Sequence, residues 1–145
     1  MEPKRKFIWL ALCWTSLILF LSFKAPTLNP KYTFPNEDKV VHFVFYFVFV
    51  FLWMKYIVLT QCLSLKKMTF LITFVAIVFS ILVEIGQEFL TTNRFAEIKD
   101  VIANSLGAIT SAILFYRFLK NKMIKSSLCL IKIFYFYRKI KKYEC

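Results

Sequence analysis

Three groups of polar side chains recur at helical spacing in this chain. Asp38, Lys39, His42 and Tyr46 form the first, and Asp38, His42 and Tyr46 lie at i, i+4 and i+8, on one face of a helix. Glu84, Gln87 and Glu88 form the second. Asp100, Asn104, Gly107 and Ser111 form the third, again on one face, and Arg94 stands between the last two groups. Their chemistry is complementary. Asp38 can orient His42 as a general base, Glu84 can serve as the acid, and Arg94 can stabilise developing negative charge. The candidate catalytic residues are therefore His42, Glu84, Asp38 and Asp100. The candidate ligand-binding residues are Lys39 and Arg94, donors for a phosphate, with Gln87 and Asn104, amides suited to sugar or peptide groups.

Other chemistries are excluded or disfavoured. With only Gly86 and Gly107, the chain contains neither a dinucleotide-binding glycine loop nor a P-loop, and a single His rules out paired-histidine zinc motifs. No Ser or Cys stands in a secure nucleophile motif. His42, Glu84 and Asp100 are metal ligands by type, but the lone His weighs against that reading, so no metal or cofactor is expected.

Each group also has a blander explanation. Asn36 and Asp100 suit helix N-caps, and Glu37 and Asp38 complement the positive end of a helix. Capping does not suit Glu84 and Glu88, which fall at a helix C-terminus, where the dipole disfavours negative charge. They need a partner, and Lys39, Arg94 and a protonated His42 are the available cations. Gln87, Asn104 and Gly107 fit interhelical hydrogen bonding and close packing, and Tyr46 fits the aromatic belt of a membrane interface. Yet intramembrane polar contacts average only about 0.6 kcal/mol, so a cluster of this size is an inefficient glue.

The elements that must position these residues follow from composition. The 145 residues are 59% hydrophobic, with 18 Phe, too apolar for a chain of this length to bury in water. Residues 7–23, 40–59, 68–90 and 101–119 each approach the roughly 20 residues that span a bilayer, and backbone groups in lipid require helices. The expected fold is an all-α integral membrane protein with four transmembrane helices. Lys4, Arg5, Lys6, Lys55, Lys66, Lys67 and the basic residues from Arg117 onward then share one side, which the positive-inside rule makes cytoplasmic. Both termini are expected inside. The three polar groups and Arg94 fall together near the outer interface.

The remaining segments are auxiliary. Pro26, Pro30 and Pro35 suggest an extended strap between the first two spans. Residues 120–145 mix basic and aromatic side chains and read as a basic amphipathic tail on the anionic cytoplasmic leaflet, in preference to nucleic acid, for which no binding is expected. Lys4, Arg5 and Lys6 ahead of an apolar run also fit a secretory signal, the less favoured reading. Cys13 is expected to be a buried small hydrophobe, and Cys62, Cys129 and Cys145 form no disulfide framework or zinc site.

The ordered pattern of Asp38, Lys39 and His42, then Glu84 and Gln87, Arg94, and finally Asp100, Asn104 and Gly107 resembles the VanZ-like family of small bacterial membrane proteins. That family is named for a protein linked to resistance to the glycopeptide teicoplanin. The resemblance covers residues 38–111 and departs from the usual pattern at Ser111, where a glycine is frequent. It implies a four-helix membrane domain over residues 1–119 in a bacterial cytoplasmic membrane, with residues 120–145 as the tail. It does not supply a reaction. Binding of an outer-leaflet lipid or lipid-linked precursor, hydrolysis or transfer on such a lipid, and a purely structural cluster all remain open. Proton-coupled transport through Glu84 and His42 is disfavoured in four helices without an evident inverted repeat. The sequence leaves the oligomeric state open.

Overall fold

The computed structural model describes residues 3–24, 37–60, 64–90 and 97–141, with side chains described from residue 4 to 122 within those segments. They form four helices: α1 (Pro3–Phe23), α2 (Glu37–Thr60), α3 (Leu65–Leu90) and α4 (Ile98–Lys141). All four contain a segment long and apolar enough to cross a membrane: Lys4–Phe23, Glu37–Thr60, Leu65–Leu90 and Ile98–Lys122. Each helix extends beyond the apolar run seen in sequence, because charged ends such as Glu37, Asp38 and Lys39 continue a helix as readily as apolar residues do. Pro3 opens α1, where its missing N–H costs no helical bond. The largest extension is in α4, which runs without a break into the basic tail. At about 1.5 Å per residue it is roughly 66 Å long, more than a bilayer with its headgroups.

The helices run alternately up and down, so α2 and α4 are parallel and share the largest interface. Small residues make that interface close: Ala108, Ser111 and Ala112 are buried on α4, and a Cβ placed on Gly107 would lie 2.1 Å from the Phe43 carbonyl oxygen. Only a residue without a side chain allows this approach, the means by which helices associate where no hydrophobic force drives them together. The bundle interior is completed by Ile18, Tyr46, Phe49, Val50, Met54, Met68, Ile72 and Phe115. Trp14 of α1 donates from Nε1 to the Phe45 carbonyl of α2 at 2.9 Å and meets the Phe45 ring edge-on. Large apolar side chains such as Phe20, Phe70, Phe74, Phe89 and Phe118 point outward. That polarity suits a lipid surround.

Two expectations are corrected here. Cys13 is exposed on the outside of α1, not buried, because the interior face of that helix is taken by Ala11 and Ile18. Tyr46 is 1% exposed and lies against Phe49 and Phe79 within the core, so it is no belt residue. Asn36, the strap prolines and Arg94 lie outside the described residues, as do Cys62, Cys145 and the tail side chains beyond Lys122.

Candidate functional site

The alternation of helices brings the ends of α1 and α3 and the beginnings of α2 and α4 to one end of the bundle. Matching turns of the parallel pair meet there: Lys39 faces Asp100, His42 faces Asn104, and Phe43 backs onto Gly107. Lys39 Nζ is the hub of the outermost layer. It contacts Asp100 Oδ1 and donates to Glu97 Oε2 at 2.7 Å and Asp38 Oδ2 at 3.3 Å. Glu97 lies just before α4, and the Lys39 hydrogen bond holds its carboxyl below the usual carboxylate range. The ammonium expected to meet a phosphate is therefore shared among three carboxylates.

One turn deeper lies His42. Its Nδ1 is 3.1 Å from Asn104 Oδ1, and Asn104 Nδ2 donates to Ser80 Oγ of α3 at 2.9 Å. Its Nε2 faces Asp38 Oδ1 at 3.6 Å and Asp100 Oδ2 at 3.8 Å. Burial deepens along the same direction. The Asp38 and Glu97 side chains are more than half exposed, whereas Asp100, Asn104 and Ser80 are buried. The arrangement is a polar cluster with an exposed acidic edge and a buried edge of amide and hydroxyl groups.

Glu84 joins from the third helix. Its Oε1 accepts the Glu97 backbone N–H at 3.1 Å, and its Oε2 has no hydrogen-bond partner among the described residues. The acid that is unfavourable at the C-terminal end of α3 thus meets the positive N-terminal end of α4; among the described residues neither Lys39 nor His42 forms an ion pair with it, and Arg94, the third expected cation, lies outside them. Asp100 is no N-cap either. Glu97 precedes α4, and its carbonyl accepts from the Asp100 and Val101 N–H groups, which leaves the Asp100 side chain free for Lys39.

Asp38, Lys39, His42, Asp100 and Asn104 are brought together, with Glu84 at their edge. Gln87 donates to the Ser22 carbonyl of α1 at 2.9 Å, an interhelical bond of the kind its blander reading expects. Glu88 is exposed and stands outside the cluster. Glu97 and Ser80 are members that spacing did not single out. Ser80 precedes Glu84 by four residues and Gln87 by seven, so the same face of α3 carries it.

Two observations from comparison with known proteins bear on this arrangement. Neither a curated protein nor a solved structure matches the chain significantly. The family model described as VanZ/LLP1 matches residues 7–120, which covers every residue of the cluster and all four spans except the first three residues of the first and the last two of the fourth. The chain is thus a multi-pass membrane protein that belongs to the VanZ/LLP1 family.

Proposed function

We propose that the protein acts in a bacterial cytoplasmic membrane with both termini inside, and that its polar cluster opens at the outer leaflet to bind or modify the head of a cell-envelope lipid or lipid-linked precursor. The observation that supports this reading is the convergence of carboxylates, an imidazole and an amide from different helices at one bundle end, beside outward-facing apolar side chains such as Phe89 and Ile98 that acyl chains would meet. Because Lys39 is already shared by Asp38, Glu97 and Asp100, hydroxyl, amide and amine groups of a headgroup match the exposed edge better than a bare phosphate does. At the opposite end a groove of about 910 Å³ between α3 and α4 is rimmed by Lys66, Arg117 and Lys120 over Phe70 and Ile113. Its cations above an apolar floor suit an anionic phospholipid of the cytoplasmic leaflet.

By family resemblance, the consequence of the outer-leaflet activity is reduced susceptibility to teicoplanin. The test is survival of a strain lacking the protein and supplied with wild type, His42→Ala, Glu84→Gln or Asp100→Asn at matched membrane abundance. Loss of protection at equal abundance supports a functional cluster. Absence of protection even with wild type removes the glycopeptide role. A common fall in abundance assigns the cluster to folding instead. Chemistry and binding separate within the same set, since Glu84→Gln abolishes a reaction while leaving headgroup affinity largely intact.

A further inference from the structure

The oxygen atoms of the two aspartates are divided between two jobs. Lys39 takes Oδ2 of Asp38 and Oδ1 of Asp100. The other oxygen of each, Asp38 Oδ1 and Asp100 Oδ2, faces His42 Nε2 at 3.6 and 3.8 Å, too far for an N–H···O hydrogen bond. The ring is oriented from behind. Asn104 donates from Nδ2 to Ser80 Oγ and presents Oδ1 to the ring; in the tautomer that donates from Nδ1 to this oxygen, the Nε2 lone pair points at two carboxylates. That contact is repulsive unless a cation lies between.

We propose that Asp38, His42 and Asp100 form a binding site for a divalent transition-metal ion, Mn²⁺ or Zn²⁺, with Lys39 and Asn104 as the groups that position the three ligands. One ligand atom from each of the three residues lies within 4.8 Å of the others. Donors bound to one ion at about 2.1 Å stand roughly 3 to 4.2 Å apart, which brackets the two observed separations. One imidazole and two carboxylates suit Mn²⁺ or Zn²⁺ and leave coordination positions open toward the exposed edge. The supporting hydrogen bonds, from the imidazole Nδ1 back to Asn104 Oδ1 and from Lys39 to the far oxygen of each carboxylate, are those that orient ligands at metal centres. Two carboxylates and a dication next to Lys39 also leave the cluster close to neutral, with Glu97 taking up the remaining positive charge.

This site shares residues with the lipid reading but does not depend on it. The test uses the full chain, purified in lipid-free detergent micelles with a tag that contains no histidine, so its outcome is separate from any effect on headgroups or antibiotic survival. Mn²⁺ added to this protein is expected to bind at about one ion per chain after gel filtration, and to show histidine-nitrogen coupling in pulsed electron paramagnetic resonance. The chain contains one His, so such coupling identifies His42 without any variant. His42→Gln and Asp100→Asn are expected to lower affinity at least tenfold, and Asn104→Ala by about tenfold through the freed ring. Bound Mn²⁺ without nitrogen coupling, or less than about a tenth of an ion per chain at saturation, overturns the proposal.

Discussion

Asn104 is the residue through which three helices are tied together, since its amide reaches His42 on α2 and Ser80 on α3 from its own place on α4. Hydrogen bonds between membrane helices are worth about 0.6 kcal/mol on average and up to about 1.7. Losing two at a buried position should therefore cost Asn104→Ala about 1–2 kcal/mol in thermal or denaturant unfolding in detergent. Ser80→Ala should cost less, because it removes one bond, and the double variant should lose less than the sum of the two. Gly107 tests packing in the same way. A methyl group there meets backbone and not a flexible side chain, so Gly107→Ala must push α2 and α4 apart and cost at least about 1–3 kcal/mol, seen as a smaller monodisperse fraction in gel filtration. Ser111 supplies the contrast. Its hydroxyl is buried without a hydrogen-bond partner among the described residues, so Ser111→Ala should be neutral or slightly stabilising.

Between elements, the approach of α2 to the start of α4 is governed by charge. Lys39 on α2 faces Glu97 and Asp100 at the beginning of α4, and its removal would leave Asp38, Glu97 and Asp100 repelling one another. Lys39→Ala is expected to loosen this end more than Glu97→Gln does, read as faster proteolysis or faster labelling of a cysteine placed at the half-buried Val101. Acid should act in the same direction. The folded Glu97 carboxyl titrates below its ordinary value of about 4.3 because Lys39 stabilises the charged form. Its contribution is therefore fully present above the unfolded value and is lost as pH falls through the lower folded one. Unfolding temperatures of wild type and Glu97→Gln should differ at pH 6 to 7 and converge below about pH 4. A constant gap across that range would mean that Lys39 does not hold Glu97.

Orientation belongs to the scale of the whole molecule. Basic residues collect at the end carrying Lys66, Arg117 and Lys120, and the acidic cluster lies at the other. In the proposed orientation, which follows the positive-inside rule, the polar cluster faces outside, and labelling tests it. In a cysteine-free background, single cysteines at Asp38 and Glu97, both more than half exposed, should react with an impermeant maleimide in intact cells, whereas a cysteine at Lys66 should react only after lysis. The reverse pattern would put the cluster in the cytoplasm and remove the outer-leaflet reading. The native Cys13 sits on the apolar exterior of α1, so it must be replaced in that background to avoid slow background labelling.

Much of this architecture is legible in the sequence because a bilayer imposes simple arithmetic: length and hydropathy mark the four helices, and the spacing of Asp38 and His42 and of Asp100 and Asn104 puts each pair on one face. The VanZ-like pattern was readable for the same reason, since its polar residues stand out against apolar runs. Tertiary structure decided which polar faces meet. The parallel register of α2 and α4, fixed where Gly107 admits the Phe43 backbone, sets Asp100 against Lys39, while Gln87 bonds to α1 instead, and no spacing within one segment encodes a register between two. The same holds for Glu97 and Ser80, ordinary residues by type that become members of the cluster only because Lys39 and Asn104 reach them. Sequence selects the solvent and the helices; packing between them selects the chemistry.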